Sequence, residues 1–423
     1  LEKIINGKRK NAMSMLEQLS RTASWENFYA YKASLVCAGE FEKSLHAFIA
    51  RGGYQHVLEA AVRGERFPLP RRSVISKMGS QKKRVVYTYP PDENMVLKLL
   101  TFLLLRRYDG LFSPNLYSFR PGKSAKDAIR TLMRTPGIRQ MYAYKVDISN
   151  YFNSVQIPLL LPMLEAVTGD DGALYAFLRR LLEEPEVQDG SRVMQEEKGI
   201  MAGTPLSSFY ANLYLRDLDR AFYSRRIPYA RYSDDIILFA NSMEEAEAYA
   251  EEIRRFLAER KLQINPAKEC FFSPAEGWTF LGFACRGHVI DIAPASVRKI
   301  KQKMRRKARA LLRWRERNGI SGEKAAAAFI RIFNRKLLES PTDSELTWSY
   351  WFFSVINTTE SLHEIDCYAQ DCIRFLMTGR RTKARYRVRY EEMKRLGYRS
   401  LVHAYYDAKC KIAEDGAAAD GRV

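Results

Sequence analysis

Tyr232-Ser233-Asp234-Asp235 sits between Arg231 and the apolar run Ile236-Ile237-Leu238-Phe239. Two adjacent carboxylates repel each other, and a protein keeps them close where a cation can sit between them. The flanking residues predict two short buried strands with the Asp pair on the connecting hairpin. A third carboxylate at the end of another strand completes a two-metal site for phosphoryl or nucleotidyl transfer. Asp147 supplies it, at the end of the β-rich run Tyr142-Ala143-Tyr144-Lys145-Val146-Asp147, with Tyr151-Phe152 following. On this reading Asp147 and Asp234 bridge two Mg²⁺ ions and Asp235 supports one of them. Ile148, next to Asp147, joins the metal-binding set, and Mn²⁺ is the alternative ion. One ion activates a primer 3′-hydroxyl and the other holds an incoming triphosphate. Singly, an Asp-Asp pair is most often a turn and a strand-end Asp a helix cap; the combination is what points to chemistry.

The elements that must position these residues read as follows. Residues 1–70 predict helices, with apolar spacing through Met15, Leu19, Trp25, Phe28 and Tyr31, then Leu45, Phe48 and Ile49, ending at Phe67-Pro68-Leu69-Pro70. A hairpin is expected from Arg72–Ile75 and Arg84–Tyr87 around Gly79-Ser80, followed by a helix through Met95, Leu99, Phe102 and Leu105. From Pro294 onward the chain reads helical and very basic, and only the last residues (Ala417 to Gly421) look frayed. The whole sequence of 423 residues carries 69 Lys+Arg against 49 Asp+Glu, a formal net charge of +20, with a pI near 9.6. That charge attracts phosphate backbones with an affinity that falls steeply with salt. No apolar run approaches membrane-spanning length and no secretory signal is visible, so a soluble cytoplasmic protein without a membrane partner is expected. The six cysteines lack Cys-x-x-Cys spacing and predict reduced core residues rather than a disulfide framework or zinc site.

Tyr-x-Asp-Asp, the upstream Asp147 with its aromatic follower, and Phe280-Leu281-Gly282-Phe283 together resemble a reverse transcriptase. The resemblance is to bacterial enzymes of the group II intron and retroelement type, and runs over roughly residues 70 to 290. It implies an α+β right-hand polymerase fold, with an antiparallel palm sheet, fingers, a helical thumb and here a helical N-terminal extension. The expected segments are 1–70 for the extension, 71–140 for fingers, 141–290 for palm (with a fingers insertion at about 158–200), 291–378 for thumb and 379–423 for a basic tail. RNA template, RNA–DNA duplex and dNTPs are the implied partners.

The same resemblance assigns roles to single residues. Phe152 becomes a steric gate whose ring overlaps a ribose 2′-hydroxyl; the alternative, Phe152 in the core and Tyr151 exposed, is not decided by alternation. Lys83, Arg84 and Arg120 become triphosphate ligands, with Lys82 able to exchange with Lys83, and guanidinium forks suit phosphate oxygens. Where the family often has a further basic residue, this chain reads Pro91-Asp92-Glu93-Asn94. Lys198 to Leu215 resembles the template- and nucleotide-contacting motif, in which Gly203 and Pro205 let backbone approach the nascent base pair and Asn212 opens a helix. Intron enzymes usually have Pro-Gln-Gly where this chain has Met201-Ala202-Gly203, so Ala202 is expected to loosen base-pair checking. Lys268 becomes a general acid toward pyrophosphate, and Phe280–Phe283 a primer grip.

Val297 to Arg309 is an intensely basic helix, continued by Leu311, Leu312 and Trp314 as an apolar stripe, and fits a thumb helix on duplex. Arg380 to Tyr390 interleaves Arg with Tyr, which suits phosphate contact and base stacking on RNA. The stretch after the primer grip leaves no room for separate maturase, DNA-binding and endonuclease domains, and no nuclease cluster is visible. With Leu396-Gly397-Tyr398-Arg399-Ser400-Leu401-Val402-His403, the chain is similar to stand-alone antiphage reverse transcriptases, several of which copy a dedicated noncoding RNA. A diversity-generating or retron-like enzyme, or a non-catalytic RNA-binding maturase-like protein, are the alternatives.

Overall fold

The computed structural model describes residues 13–35, 39–76, 83–339 and 348–420. The expected Gly79-Ser80 turn, Lys82 and Cys37 lie outside the described residues. The chain divides into two compact units, Leu1–Phe272 and Ser273–Val423. Residues 273–290, assigned from sequence to the palm segment, therefore group with the helical C-terminal unit.

Among the described residues of the first unit, helices Met15–Leu19, Thr22–Ala33, Gly39–Ala50 and Gln55–Val62 precede the strands. Their apolar spacing buries Met15, Leu19, Trp25, Phe28, Leu45 and Phe48 as expected, with Trp25 stacked on Tyr54 at 5.0 Å between ring centroids. Strands β1 (Arg71–Ser76) and β2 (Lys83–Thr88) pair antiparallel, Val74 opposite Val85. They are followed by the helix Pro91–Arg107, which has Pro at its start, Asp92 and Glu93 in the first turn and Arg106 and Arg107 in the last. This distribution complements the helix dipole at both ends. Strands β3 (Tyr142–Asp147), β4 (Glu186–Asp189) and β5 (Arg192–Gln195) come next, then β6 (Tyr229–Tyr232), β7 (Asp235–Ala240) and β8 (Cys270–Phe272).

One sheet has the order β2-β1-β4-β5 and the other β6-β7-β3-β8. All pairings in the second are antiparallel. The helix Met243–Glu259 covers β3 and β7, while Ala125–Arg134 and Arg216–Ser224 lie against β6. Cover of this kind explains why β7 is buried from Ile236 through Ala240 and reads as a continuous apolar run rather than an alternating one.

The second unit holds β9 (Trp278–Phe280), β10 (Phe283–Arg286) and β11 (Val289–Ile292) as an antiparallel sheet, then mutually packed helices Pro294–Arg317, Gly322–Leu337 and Glu360–Thr378. Helix Pro294–Arg317 buries Val297, Met304, Ala308 and Leu311. Arg298, Lys299, Lys303, Arg305, Arg306, Lys307 and Arg309 stay exposed. Trp314, expected in the apolar stripe, is 38% exposed, because it falls off the face set by those four residues. The expected basic tail is folded: helices Tyr390–Arg395 and Leu401–Asp420 follow a short 3₁₀ turn. The buried carboxylate of Asp366 accepts from Tyr398 Oη (2.8 Å), Ser400 Oγ (2.6 Å) and the amides of Leu401 (3.0 Å) and Val402 (3.1 Å). It thereby satisfies the N-terminus of the last helix and ties it to Glu360–Thr378. Among the described cysteines all are free, and Cys270, Cys367 and Cys410 are exposed rather than in the core.

Candidate active site

Tyr232 pairs with Asp235, so the hairpin turn is Ser233-Asp234 and Asp235 is already the first residue of β7. Ser233 takes φ 61°, a left-handed conformation that non-glycine residues adopt only under constraint. Strand β3 runs antiparallel to β7 with Asp147 directly opposite Asp235. The Ile148 amide donates to the Asp234 carbonyl at 3.0 Å, which closes the end of the ladder. The register thus gathers the three carboxyl-bearing residues at one end of the sheet. Ile148 is fully buried, so its side chain is core and only its main-chain oxygen suits a metal.

Like charges directly opposite on neighbouring strands are destabilising. Burial pushes the Asp234 carboxyl above the ordinary range, with Asp147 adding to it. Asp235 is pushed up to about 6, first by burial and then by Asp234 and Asp147. Asp147, itself buried, receives the Lys268 ammonium on Oδ2 and the Asn265 amide on Oδ1 at 3.4 Å. Burial lowers the Lys268 pKa, but the bond to Asp147 and that charge outweigh it and leave it raised. Among the described residues no three His, Cys, Asp or Glu side chains converge closely enough to hold one ion. The donor set nonetheless fits a divalent cation: hard oxygen donors, two carboxyls whose pKa is raised first by burial and then by their carboxylate neighbours, and an ammonium already serving Asp147.

A pH effect follows. A carboxyl whose folded pKa lies above its unfolded value stabilises the fold below the unfolded value and loses that contribution as pH rises through the folded one. The metal-free protein should therefore gain thermal stability as pH falls from about 7 toward 4 through the Asp235 titration near 6. Scans of the melting midpoint against pH should show this gain in the wild type and lose it in Asp235→Asn.

Tyr151 is buried, its hydroxyl on the Ala211 carbonyl, whereas Phe152 is half-buried and meets Phe119 edge-on at 6.2 Å. The two aromatics are therefore placed the opposite way round from the core alternative. The loop behind them explains its glycines. A Cβ at Gly199 would sit 2.4 Å from the Phe152 carbonyl, and one at Gly203 3.0 Å from the Tyr87 carbonyl. What approaches Gly203 closely is thus strand β2. Ala202 is buried; its amide donates to Asn153 Oδ1 at 3.2 Å and its carbonyl accepts from the Tyr87 amide at 2.8 Å. Its backbone joins β2 to the short helix Tyr151–Ser154 that follows Asp147.

Two further expectations are corrected. Arg120 is not a free phosphate ligand: its guanidinium is spent on Asp109 (2.7 and 3.0 Å), with further bonds to the carbonyls of Ser113 (2.7 Å), Leu116 and Asp109. Asn212 does not open a helix; it lies inside Ser207–Tyr214, fully buried, with its side chain on Ser118. Lys83 and Arg84 are exposed on β2 and make no ion pair among the described residues.

Sequence reasoning missed the assembly beneath the hairpin. Arg231 is fully buried and forms a two-point bond to Asp219, Nε to Oδ1 at 2.8 Å and Nη2 to Oδ2 at 2.6 Å. Tyr229 Oη adds 2.9 Å to the same carboxylate, and Arg231 Nη1 reaches the Ser233 carbonyl at 3.2 Å. The available signal was an Arg inside an otherwise apolar strand, which requires a buried partner.

Residues 75–285 match the family model described as reverse transcriptase (RNA-dependent DNA polymerase), and so form a reverse transcriptase domain. The carboxylate-bearing antiparallel sheet lies within the matched residues, in an α+β fold. The group II intron-encoded protein LtrA of Lactococcus lactis is 22% identical over 250 residues, covering 56% of this chain and 40% of that protein. An uncharacterised 91 kDa protein in the cob intron of Schizosaccharomyces pombe is 22% identical over 237 residues, 51% of this chain and 29% of that one. The chain thus spans well under half the length of these relatives. Among solved structures, telomerase of Candida albicans with a fragment of telomeric RNA covers 80% of this chain and 67% of its own at 12% identity and a TM-score of 0.43. Apo telomerase of Candida tropicalis covers 78% and 69% at 12% identity and 0.44.

Proposed function

We propose that this chain is an RNA-directed DNA polymerase that adds dNTPs to a primer on an RNA template. The observation that carries the proposal is the register that sets Asp147 opposite Asp235 with Asp234 in the adjoining turn. Asp147, Asp234, Asp235 and the Ile148 carbonyl would hold two Mg²⁺ ions, which when bound activate the primer hydroxyl and neutralise the triphosphate. Lys268 holds a proton beside Asp147, where it can pass to pyrophosphate as that group leaves. Exposed Lys83 and Arg84 offer the triphosphate cations that Arg120 does not, and the exposed cations of helix Pro294–Arg317 suit a duplex backbone.

A cleft of about 500 Å³ supports the single-stranded template. Lys32, Lys98 and Arg106 line it beside Tyr31, Phe102 and Phe119, and among the described residues no carboxylate lines it. Lys98 lies 4.3 Å from the Phe41 ring centroid and Arg106 3.5 Å from that of Phe102. Burial, then the charge of a neighbouring cation, lowers the pKa of both lysines. Aromatic faces with unpaired cations accept stacked bases and phosphates.

The finer reading is that the template is a dedicated noncoding RNA copied in antiphage defence. It is supported by the Met201-Ala202-Gly203 variant and by Leu396–His403. Among the described residues no helix is long and apolar enough to cross a membrane.

The test is to purify the protein from its native locus, sequence the bound nucleic acid, and assay Mg²⁺-dependent primer extension beside Asp234→Ala/Asp235→Ala. One discrete RNA in both preparations, with complementary DNA only in the wild type, supports the reading. A heterogeneous RNA pool with no carboxylate-dependent DNA shifts it to an RNA-binding protein. Within the same assay, Phe152→Ala should relax dNTP over rNTP selection by about 10- to 100-fold, the scale of a lost steric contact. Unchanged selection removes the gate.

A further inference from the structure

The turn that carries Asp234 is held from both sides by groups outside the Asp147, Asp234 and Asp235 cluster. The Ser233 amide donates to Ser118 Oγ at 2.9 Å, and the Ser233 carbonyl accepts from Arg231 Nη1 at 3.2 Å. Both clamps are themselves fixed. Ser118 Oγ donates to Asn212 Oδ1 at 3.3 Å while its carbonyl accepts from Asn212 Nδ2 at 3.0 Å. Arg231 is locked on Asp219 by two bonds. Ser118, Asn212, Arg231 and Asp219 are all fully buried, so water does not compete for these bonds.

The segment that carries Ser118 is also tied to the hairpin. The Arg231 amide donates to the Asn115 carbonyl and the Tyr117 amide to the Arg231 carbonyl, each at 3.0 Å. Two residues beyond Ser118, Arg120 anchors the turn to Asp109. The Phe119-Arg120-Pro121-Gly122 segment therefore has a role that a phosphate-binding reading does not supply. It holds a hydroxyl under the turn next to the carboxylates.

We propose that Ser118 is a positioning residue for the Asp234 carboxylate, fixing the Ser233 peptide from one side while the Arg231–Asp219 pair fixes it from the other. Ser233 sits at φ 61°, where a serine stays only if its surroundings hold it. Without the Ser118 hydroxyl the turn loses the acceptor for its amide and gains other geometries. The Asp234 oxygens then sample positions away from Asp147, and the entropy of gathering the donors falls on the metal. Outer groups that orient first ligands act in this way. The inference rests on the metal-binding reading of the three carboxylates.

The experiment follows the melting midpoint of the full chain across a Mg²⁺ titration without substrate, and in parallel the Mg²⁺ dependence of nucleotide incorporation. Ser118→Ala should need about 10-fold more Mg²⁺ for half-maximal stabilisation and for half-maximal rate, with the rate recovering at saturating metal. Thr168→Ala removes another fully buried hydroxyl, bonded to the Leu164 carbonyl at 2.8 Å, and should leave both metal curves on the wild type. Should Ser118→Ala not fold, Ser118→Cys, of near-equal volume and weaker hydrogen bonding, carries the same comparison with a smaller shift. Superimposable curves for Ser118 variant and wild type, or an equal shift in Thr168→Ala, overturn the proposal. A wild type with no Mg²⁺-dependent stabilisation that Asp234→Asn removes overturns the metal reading first, and is visible without any Ser118 variant.

Discussion

Asp234→Asn should abolish primer extension while leaving the metal-free protein at least as stable as the wild type. The expected loss in incorporation is about 1,000-fold or more, equivalent to about 4 kcal/mol of transition-state stabilisation. The stability half of the prediction has the opposite sign and follows from the same geometry. Burial, then Asp147, raises the Asp234 carboxyl above its ordinary range, so its ionised form is disfavoured in the folded state. An amide of the same shape removes that cost at neutral pH. Single-turnover incorporation and the melting midpoint without divalent ions check the two halves together. A variant that lost activity by losing its fold would show a lowered midpoint, and the assignment of Asp234 to chemistry would fail.

The second large effect concerns stability. Arg231→Met should destabilise the protein by about 3–5 kcal/mol, because it strands the Asp219 carboxylate in a dry interior. The two-point bond at 2.8 and 2.6 Å is fully buried, and after the change only Tyr229 Oη remains on that carboxylate at 2.9 Å among the bonds described here. Removing both charges, as Arg231→Met with Asp219→Leu, should recover much of the loss, since an apolar pair of similar volume often replaces a buried ion pair at little cost. Urea unfolding of the two single variants and the double variant measures the coupling. A single variant within about 1 kcal/mol of the wild type would show that the pair contributes nothing net.

How far the sequence led depended on the range over which each residue finds its partners. Asp234 and Asp235 declare themselves locally, because a charged pair between apolar β-formers has few structural uses. Asp147 is legible for the same reason, at the end of its own strand. Helices from Met15 to Ile49 and the β1–β2 hairpin follow from periodicity. For Arg120, Ala202 and Asn212 the resemblance implies roles as ligands or as a helix start. Arg120 is instead spent on Asp109, Ser113 and Leu116. Asn212 finds Ser118 across 94 positions of sequence and Ala202 finds Asn153 across 49. A guanidinium or amide carries no local mark of where topology will send it. Trp314 failed for a different reason: its neighbours Leu311 and Leu312 suggested a stripe whose true direction was set by Val297, Met304 and Ala308.

The Lys268–Asp147 contact separates two processes that many metalloproteins couple. In small zinc domains the ion supplies the free energy of folding, and removing it unfolds the chain. Here a tethered ammonium lies against the carboxylate at the end of β3, and Asp235 can carry a proton of its own near pH 6. The chain therefore brings internal counter-charge to its acidic cluster. A divalent cation at these carboxylates would compete with that ammonium for one of them. Its apparent affinity would then be the difference between two occupancies, reached by exchange rather than by assembly.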